Sequence, residues 1–168
     1  MSTGVSSDDQ LRAFYAASYP RLVVLLTLAV DGRAEAEDVA QEAYARLVPR
    51  WRTVAAYDDP EAWVRQVAFR LASNRRRKLR NGVRAVHRHG APEDAGPPDA
   101  VAVDVRRALA ALPLAQRTVS VLHHLVGLEV AEVARELDLP VGTVKSRLSR
   151  ARAALAPLLA TSEETTRA

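Results

Sequence analysis

Apolar residues recur at intervals of three and four along most of this chain, and no stretch keeps the strict alternation of a half-buried strand long enough to predict a sheet. Ser7 with Gln10 fits a capping box, so a first helix is expected to start near Asp8, with Leu11, Phe14, Tyr15 and Ser18 on one face. Pro20 can open a second helix, running to about Val30, and Asp31-Gly32 reads as a turn. A third helix is expected over 34–48, with Ala36, Val39, Ala40, Ala43 and Leu47 inward. Its outer face carries Glu35, Asp38, Gln41, Glu42 and Arg46. An aromatic, charged loop follows over 51–59. Asp59 can then cap a fourth helix with Pro60 at its first position, running to about Leu79. Trp63, Val64, Val67, Ala68 and Leu71 form its apolar stripe.

From 81 to 99 the character changes. Gly, Pro and charge dominate, with no sustained apolar period, as in a flexible linker. Fully extended, it would reach roughly 60 Å. A second helical block begins near Ala100, with Val101, Val105, Ala108, Leu109 and Leu112 on one stripe. Leu112-Pro113 breaks it, and a helix over 114–126 follows, with Val119, Leu122 and either Leu125 or Val126 inward. Val130, Val133, Ala134 and Leu137 mark a short helix. Asp138-Leu139 is a break, and Pro140 sits where another helix begins. There Val144, Leu148, Ala151 and Leu155 share one stripe. At about 100° per residue, Ser146, Ser149 and Arg150 lie opposite, flanked by Lys145, Arg152 and Arg147. No acid occurs from 140 to 155. A short helix, a tight turn and a basic amphipathic helix make a helix-turn-helix, whose second helix can enter a DNA major groove. Taken alone, the same stripe would also suit a solvated basic face. The fold class is therefore all-α: two small helical domains, 7–80 and 100–160, joined by a linker over 81–99, the second ending in a helix-turn-helix.

Composition narrows the chemistry. The 168 residues have a formal net charge of +4, which permits a polyanionic partner without demanding one. Seven Arg or Lys and no acid lie between 75 and 88. A helix C-terminus favours one or two cations, so this excess points to a polyanion-binding patch. There is no cysteine, hence no disulfide, thiolate metal site or cysteine nucleophile. No Gly-rich phosphate loop, GxSxG or HExxH occurs, and the sequence offers no positive sign of an enzyme. His123-His124 reads as helix surface or core edge rather than a metal site. No cofactor is expected. The polar N-terminus lacks a signal peptide's apolar core, and the longest apolar run is too short to span a bilayer. A cytoplasmic protein without membrane insertion is expected.

Several segments together carry a family resemblance. They are Tyr19-Pro20-Arg21-Leu22, the stretch AEAEDVAQEAY over 34–44, and Asp59-Pro60-Glu61-Ala62-Trp63-Val64. In the second block they are Ala110-Ala111-Leu112-Pro113 with Gln116-Arg117, Gly127-Leu128 with Ala131-Glu132-Val133-Ala134, and the stretch GTVKSRL over 142–148. In this order and at this separation they resemble the bacterial RNA polymerase sigma factors of the extracytoplasmic-function (ECF) type, within the sigma-70 family. The match covers about 11–155.

The resemblance implies a transcription initiation factor that performs no bond chemistry. It would deliver core RNA polymerase to promoter DNA by reading −10 and −35 elements, while polymerase supplies catalysis. It also admits an anti-sigma partner. Asp38, Gln41 and Glu42 match the family's DxxQE segment, which grips the polymerase clamp. The 51–59 loop and the following helix match the part that reads and melts the −10 element. Tyr57 is the candidate for receiving an unstacked base, with Trp51 and Trp63 assigned to the core. Arg70, Asn74 and Arg77 lie away from the apolar stripe and are assigned to −10 DNA. Many members have Asn where this chain has Arg70, so their −10 preference does not transfer. On the recognition helix, Lys145, Ser146, Ser149 and Arg150 are assigned to −35 base edges, and Thr143, Arg147 and Arg152 to the backbone. Asp138 stands where the family turn usually has Gly, and His123 where many members have Arg. The rival reading is a stand-alone helix-turn-helix regulator. It would need a dimer surface, and no coiled-coil heptad or ligand cavity signature supplies one.

Overall fold

The structure, a computed structural model, describes residues 6–82 and 100–166. Among them every regular element is helical: α1 Ser7–Ala29, α2 Arg33–Leu47, α3 Trp51–Val54, α4 Pro60–Gly82, α5 Ala100–Ala110, α6 Leu114–Ser120, α7 Val130–Leu137 and α8 Val141–Thr166. The chain divides into two compact units, Met1–Thr27 with Gly32–His89 and Leu28–Asp31 with Gly90–Ala168. Most of the 81–99 stretch lies outside the described residues, and α4 takes in its first two positions.

The first unit is built on α2 packed against α4. Ala36, Ala40 and Ala43 of α2 and Ala68 of α4 are all buried. Small side chains allow two helix axes to approach, and Val39, Leu47, Val64 and Phe69 fill the remaining space. Phe69 is fully buried although it stands outside the expected Trp63–Leu71 stripe, in which Trp63 and Val67 are only half-buried. On α1, Phe14 packs against Trp51 with ring centroids 5.0 Å apart, and the buried hydroxyls of Ser18 and Tyr44 share a hydrogen bond.

Three local expectations are corrected here. The cap of α1 is Ser6, not Ser7: its Oγ accepts the Asp9 N–H at 3.1 Å and donates to the Asp9 carboxylate at 2.8 Å. Pro20 does not open a new helix but sits inside a continuous α1. The carbonyl it leaves unpaired, on Ala16, belongs to an exposed turn where water can satisfy it. The 51–59 stretch is a loop only from 55 onward. Val48–Arg50 forms a 3-10 turn and α3 follows at once. Burial of Trp51 and Val54 drives this, and the Trp51 indole N–H donates to the Ser7 carbonyl at 3.0 Å.

In the second unit α8 packs against α5, α6 and α7. A π turn, Val121–Leu125, continues α6 and shifts the inward register. Val121 is 0% exposed, whereas Leu125 is 46% exposed and Val126 half-buried, against the expectation that one of the latter two faces inward. Arg117 ties the end of the preceding helix in place by donating to the carbonyls of Ala110 at 3.2 Å and Leu112 at 3.1 Å. Beyond Leu155, α8 continues across Pro157 to Thr166.

Candidate nucleic-acid interface

The helix-turn-helix is assembled from caps and one strained residue. Glu129 and Glu132 form a reciprocal capping box at the start of α7, the Glu129 N–H donating to the Glu132 carboxylate at 2.8 Å. Asp138 ends the helix in the left-handed region, at φ 54° and ψ 53°. The Leu139 N–H reaches back to the Ala134 carbonyl at 2.9 Å and closes the turn. Pro140 is the cap of α8 rather than its first residue. Its carbonyl accepts from Thr143 at 3.0 Å and Val144 at 3.2 Å.

The buried stripe of α8 decides what its other side presents. Val144, Leu148 and Ala151 are 0%, 2% and 1% exposed. Lys145, Ser146, Ser149, Arg150 and Arg152 are exposed, and Thr143 and Arg147 are half-buried. The Ser146 hydroxyl donates to the Thr143 carbonyl at 3.0 Å, which leaves its oxygen free to accept. This face offers donors and positive charge without an acid between 140 and 155. It suits the acceptor-rich guanine edge and the phosphate backbone of a major groove.

The first unit carries two further surfaces. On α4, Arg70, Asn74 and Arg77 are exposed along one line, spaced four and three apart, on the side away from Val64, Ala68 and Leu71. Asp59 caps this helix, its carboxylate accepting the Ala62 N–H at 2.9 Å. Tyr57, 48% exposed, projects from the turn before the cap. On α2, Asp38 and Gln41 are exposed, but Glu42 is not a free carboxylate. Arg46 holds one oxygen at 2.6 Å and Arg75 of α4 the other at 2.7 Å. The hydrogen bond from Arg75, with the charge of Arg46, keeps the Glu42 carboxyl below its ordinary value. Arg75 was a member of a basic run in the sequence, and nothing in the run distinguished it as a structural partner. Among the described residues no cluster of His, Cys, Asp and Glu could hold a metal ion, and no helix is long and apolar enough to cross a membrane. His123 hydrogen-bonds through Nδ1 to the Leu128 carbonyl at 2.7 Å, a structural role.

An all-helical chain with a helix-turn-helix and an acid-free recognition face is a nucleic-acid-binding protein of the transcription class. The sigma-70 region 4 family model matches residues 102–155. The chain is 31% identical to the ECF RNA polymerase sigma factor SigK of Mycobacterium ulcerans, over 83% of this chain and 80% of that protein. It is 30% identical to the ECF RNA polymerase sigma factor SigW of Bacillus subtilis, over 72% of this chain and 73% of that protein. The fold is similar to that of the sigma factor RpoE solved in complex with the anti-sigma factor NepR from Bartonella quintana. The TM-score is 0.64 at 24% identity, covering 89% of this chain and 96% of that one. The chain belongs to the ECF sigma factors of RNA polymerase.

Proposed function

We propose that this sigma factor docks on core RNA polymerase through the α2 face and brings it to promoters whose −10 and −35 elements are read by α4 and α8. The observation that carries the reading is the acid-free exposed face of α8, held outward by the buried Val144–Leu148–Ala151 stripe. Lys145, Ser146, Ser149 and Arg150 meet −35 base edges, while Thr143, Arg147 and Arg152 hold phosphates. Arg70, Asn74 and Arg77 bind the −10 DNA, and Tyr57 receives an unstacked base there.

Asp38 and Gln41 carry the polymerase contact. Glu42 contributes mainly by bracing α2 against α4 through Arg75, because both of its oxygens are already engaged. The chain itself catalyses no reaction and acts in the cytoplasm. An anti-sigma protein would be a further partner, in keeping with the complex in which the similar RpoE was solved.

Dividing recognition between two units lets weak contacts reinforce each other. The direct test mixes the chain with core RNA polymerase and supercoiled genomic DNA and maps transcript starts. New starts that require the chain are expected, and Asp38→Ala with Gln41→Ala should weaken polymerase binding while the helical melt is preserved. No new starts, with no binding to core polymerase, would reject the reading.

A further inference from the structure

Val141 opens α8 and is 43% exposed. Over 141–155 it is the one large apolar side chain left exposed, since Val144 and Leu148 are buried and Leu155 is half-buried. It therefore adds little to the core of the second unit. At intervals of four it leads the row Val141, Lys145, Ser149, all three exposed.

Gly142 follows in ordinary helical backbone, outside the left-handed region. A β-carbon placed on it would meet nothing within 4 Å. Alanine would suit a helix better at this position. Neither backbone geometry nor packing within the chain thus requires the missing side chain. A bare stretch of backbone beside an exposed valine suits close approach by a partner surface.

Helix-turn-helix proteins meet base edges through the first residues of the recognition helix. A valine side chain there neither donates nor accepts a hydrogen bond. Against the polar edge of guanine, adenine or cytosine it would strip water and return nothing. The apolar feature of the major groove is the 5-methyl group of thymine. Four residues of helix span about 6 Å, and successive base pairs lie about 3.4 Å apart, so Val141 falls within about two base pairs of the one that Lys145 meets.

We propose that Val141 reads a thymine of the −35 element through its 5-methyl group, an inference that rests on α8 as the reader of that element. Gly142 lets the DNA come close beside it.

The test uses the full chain bound to core RNA polymerase and a promoter taken from the map of transcript starts. Each −35 thymine is replaced in turn by deoxyuridine, which removes the methyl group and keeps the hydrogen-bonding edge. At one position, within about two base pairs of the one whose preference Lys145→Ala alters, deoxyuridine should weaken binding by about fourfold, the worth of one buried methyl group. With Val141→Ala, thymine and deoxyuridine should bind alike there. Gly142→Ala should raise the melting temperature and still weaken promoter binding. A thermal melt of each variant checks that it is folded. No thymine that responds to deoxyuridine, a response that survives Val141→Ala, or undiminished binding by Gly142→Ala would each overturn the proposal, even where Lys145→Ala or Arg150→Ala still shifts −35 preference. Binding indifferent to the whole −35 element would overturn both the proposal and the reading of α8 beneath it.

Discussion

Glu42 illustrates how one side chain can match a docking motif and still be occupied. Its carboxylate is shared between Arg46 on its own helix and Arg75 on α4, and the hydrogen bond from Arg75 holds its proton affinity down. A carboxyl lowered in the folded state binds a proton less readily there than in the unfolded chain. Its contribution is therefore complete above the unfolded value of about 4.3 and fades as pH falls through the lower folded value. The pair is partly exposed to water, so the contribution is small, about 0.2–1 kcal/mol. Glu42→Gln should lower the melting temperature slightly at pH 7 and flatten the acid side of the stability profile. Thermal melts from pH 7 to pH 3 check this, and a variant with the parent's acid slope would show that the bridge adds nothing. The neighbours Asp38 and Gln41 were legible as an exposed pair from helical spacing alone. The engagement of Glu42 was not, because Arg75 is thirty-three residues away and reaches it only once α4 packs on α2.

Among the elements, the α7–α8 turn is the most tightly specified. The bounds of α7, the break at Asp138 and the inward stripe of α8 follow from apolar spacing, and the caps agree with it. Asp138 adopts the left-handed conformation that its β-carbon disfavours, at a cost of about 1–2 kcal/mol for a side chain without local compensation. Asp138→Val should lose about that much stability in urea unfolding, whereas Asp138→Gly should retain or raise it. Equal stability of the Val variant would mean that the turn does not require this geometry. The π turn escaped sequence reading for a different reason. A uniform period of 3.6 places Leu122 inward and then Leu125 or Val126. One wider turn instead brings Val121 and Leu122 inward together and turns Leu125 out. No residue type marks such a turn, since packing selects it.

At the scale of the whole molecule, the chain forms two compact helical units, the second of which also takes in Leu28–Asp31. Each has its own buried set, centred on Phe69, Leu26 and Leu47 in the first and on Leu122, Val119 and Val144 in the second. Separate cores predict separate stability. Cleavage by a protease site inserted within 83–99 should leave both fragments helical, with the C-terminal one less stable because it loses Leu28–Asp31, as followed by circular dichroism. Loss of helix from both on cleavage would reject two independent domains. Under the proposed function, placing the two DNA contacts on separate units lets each reinforce the other.

The sequence by itself determined the helical class, the helix-turn-helix and the membership of the ECF family. All of these depend on local spacing, turn chemistry and short motifs, which act within a few residues of chain. Only the tertiary structure decided that Pro20 lies within one helix, that Trp51 begins a buried turn, that Glu42 is bridged and that Leu125 faces outward. Each of these depends on which distant side chain fills a given space or meets a given charge. That information is carried by packing between helices rather than by the period along any one of them.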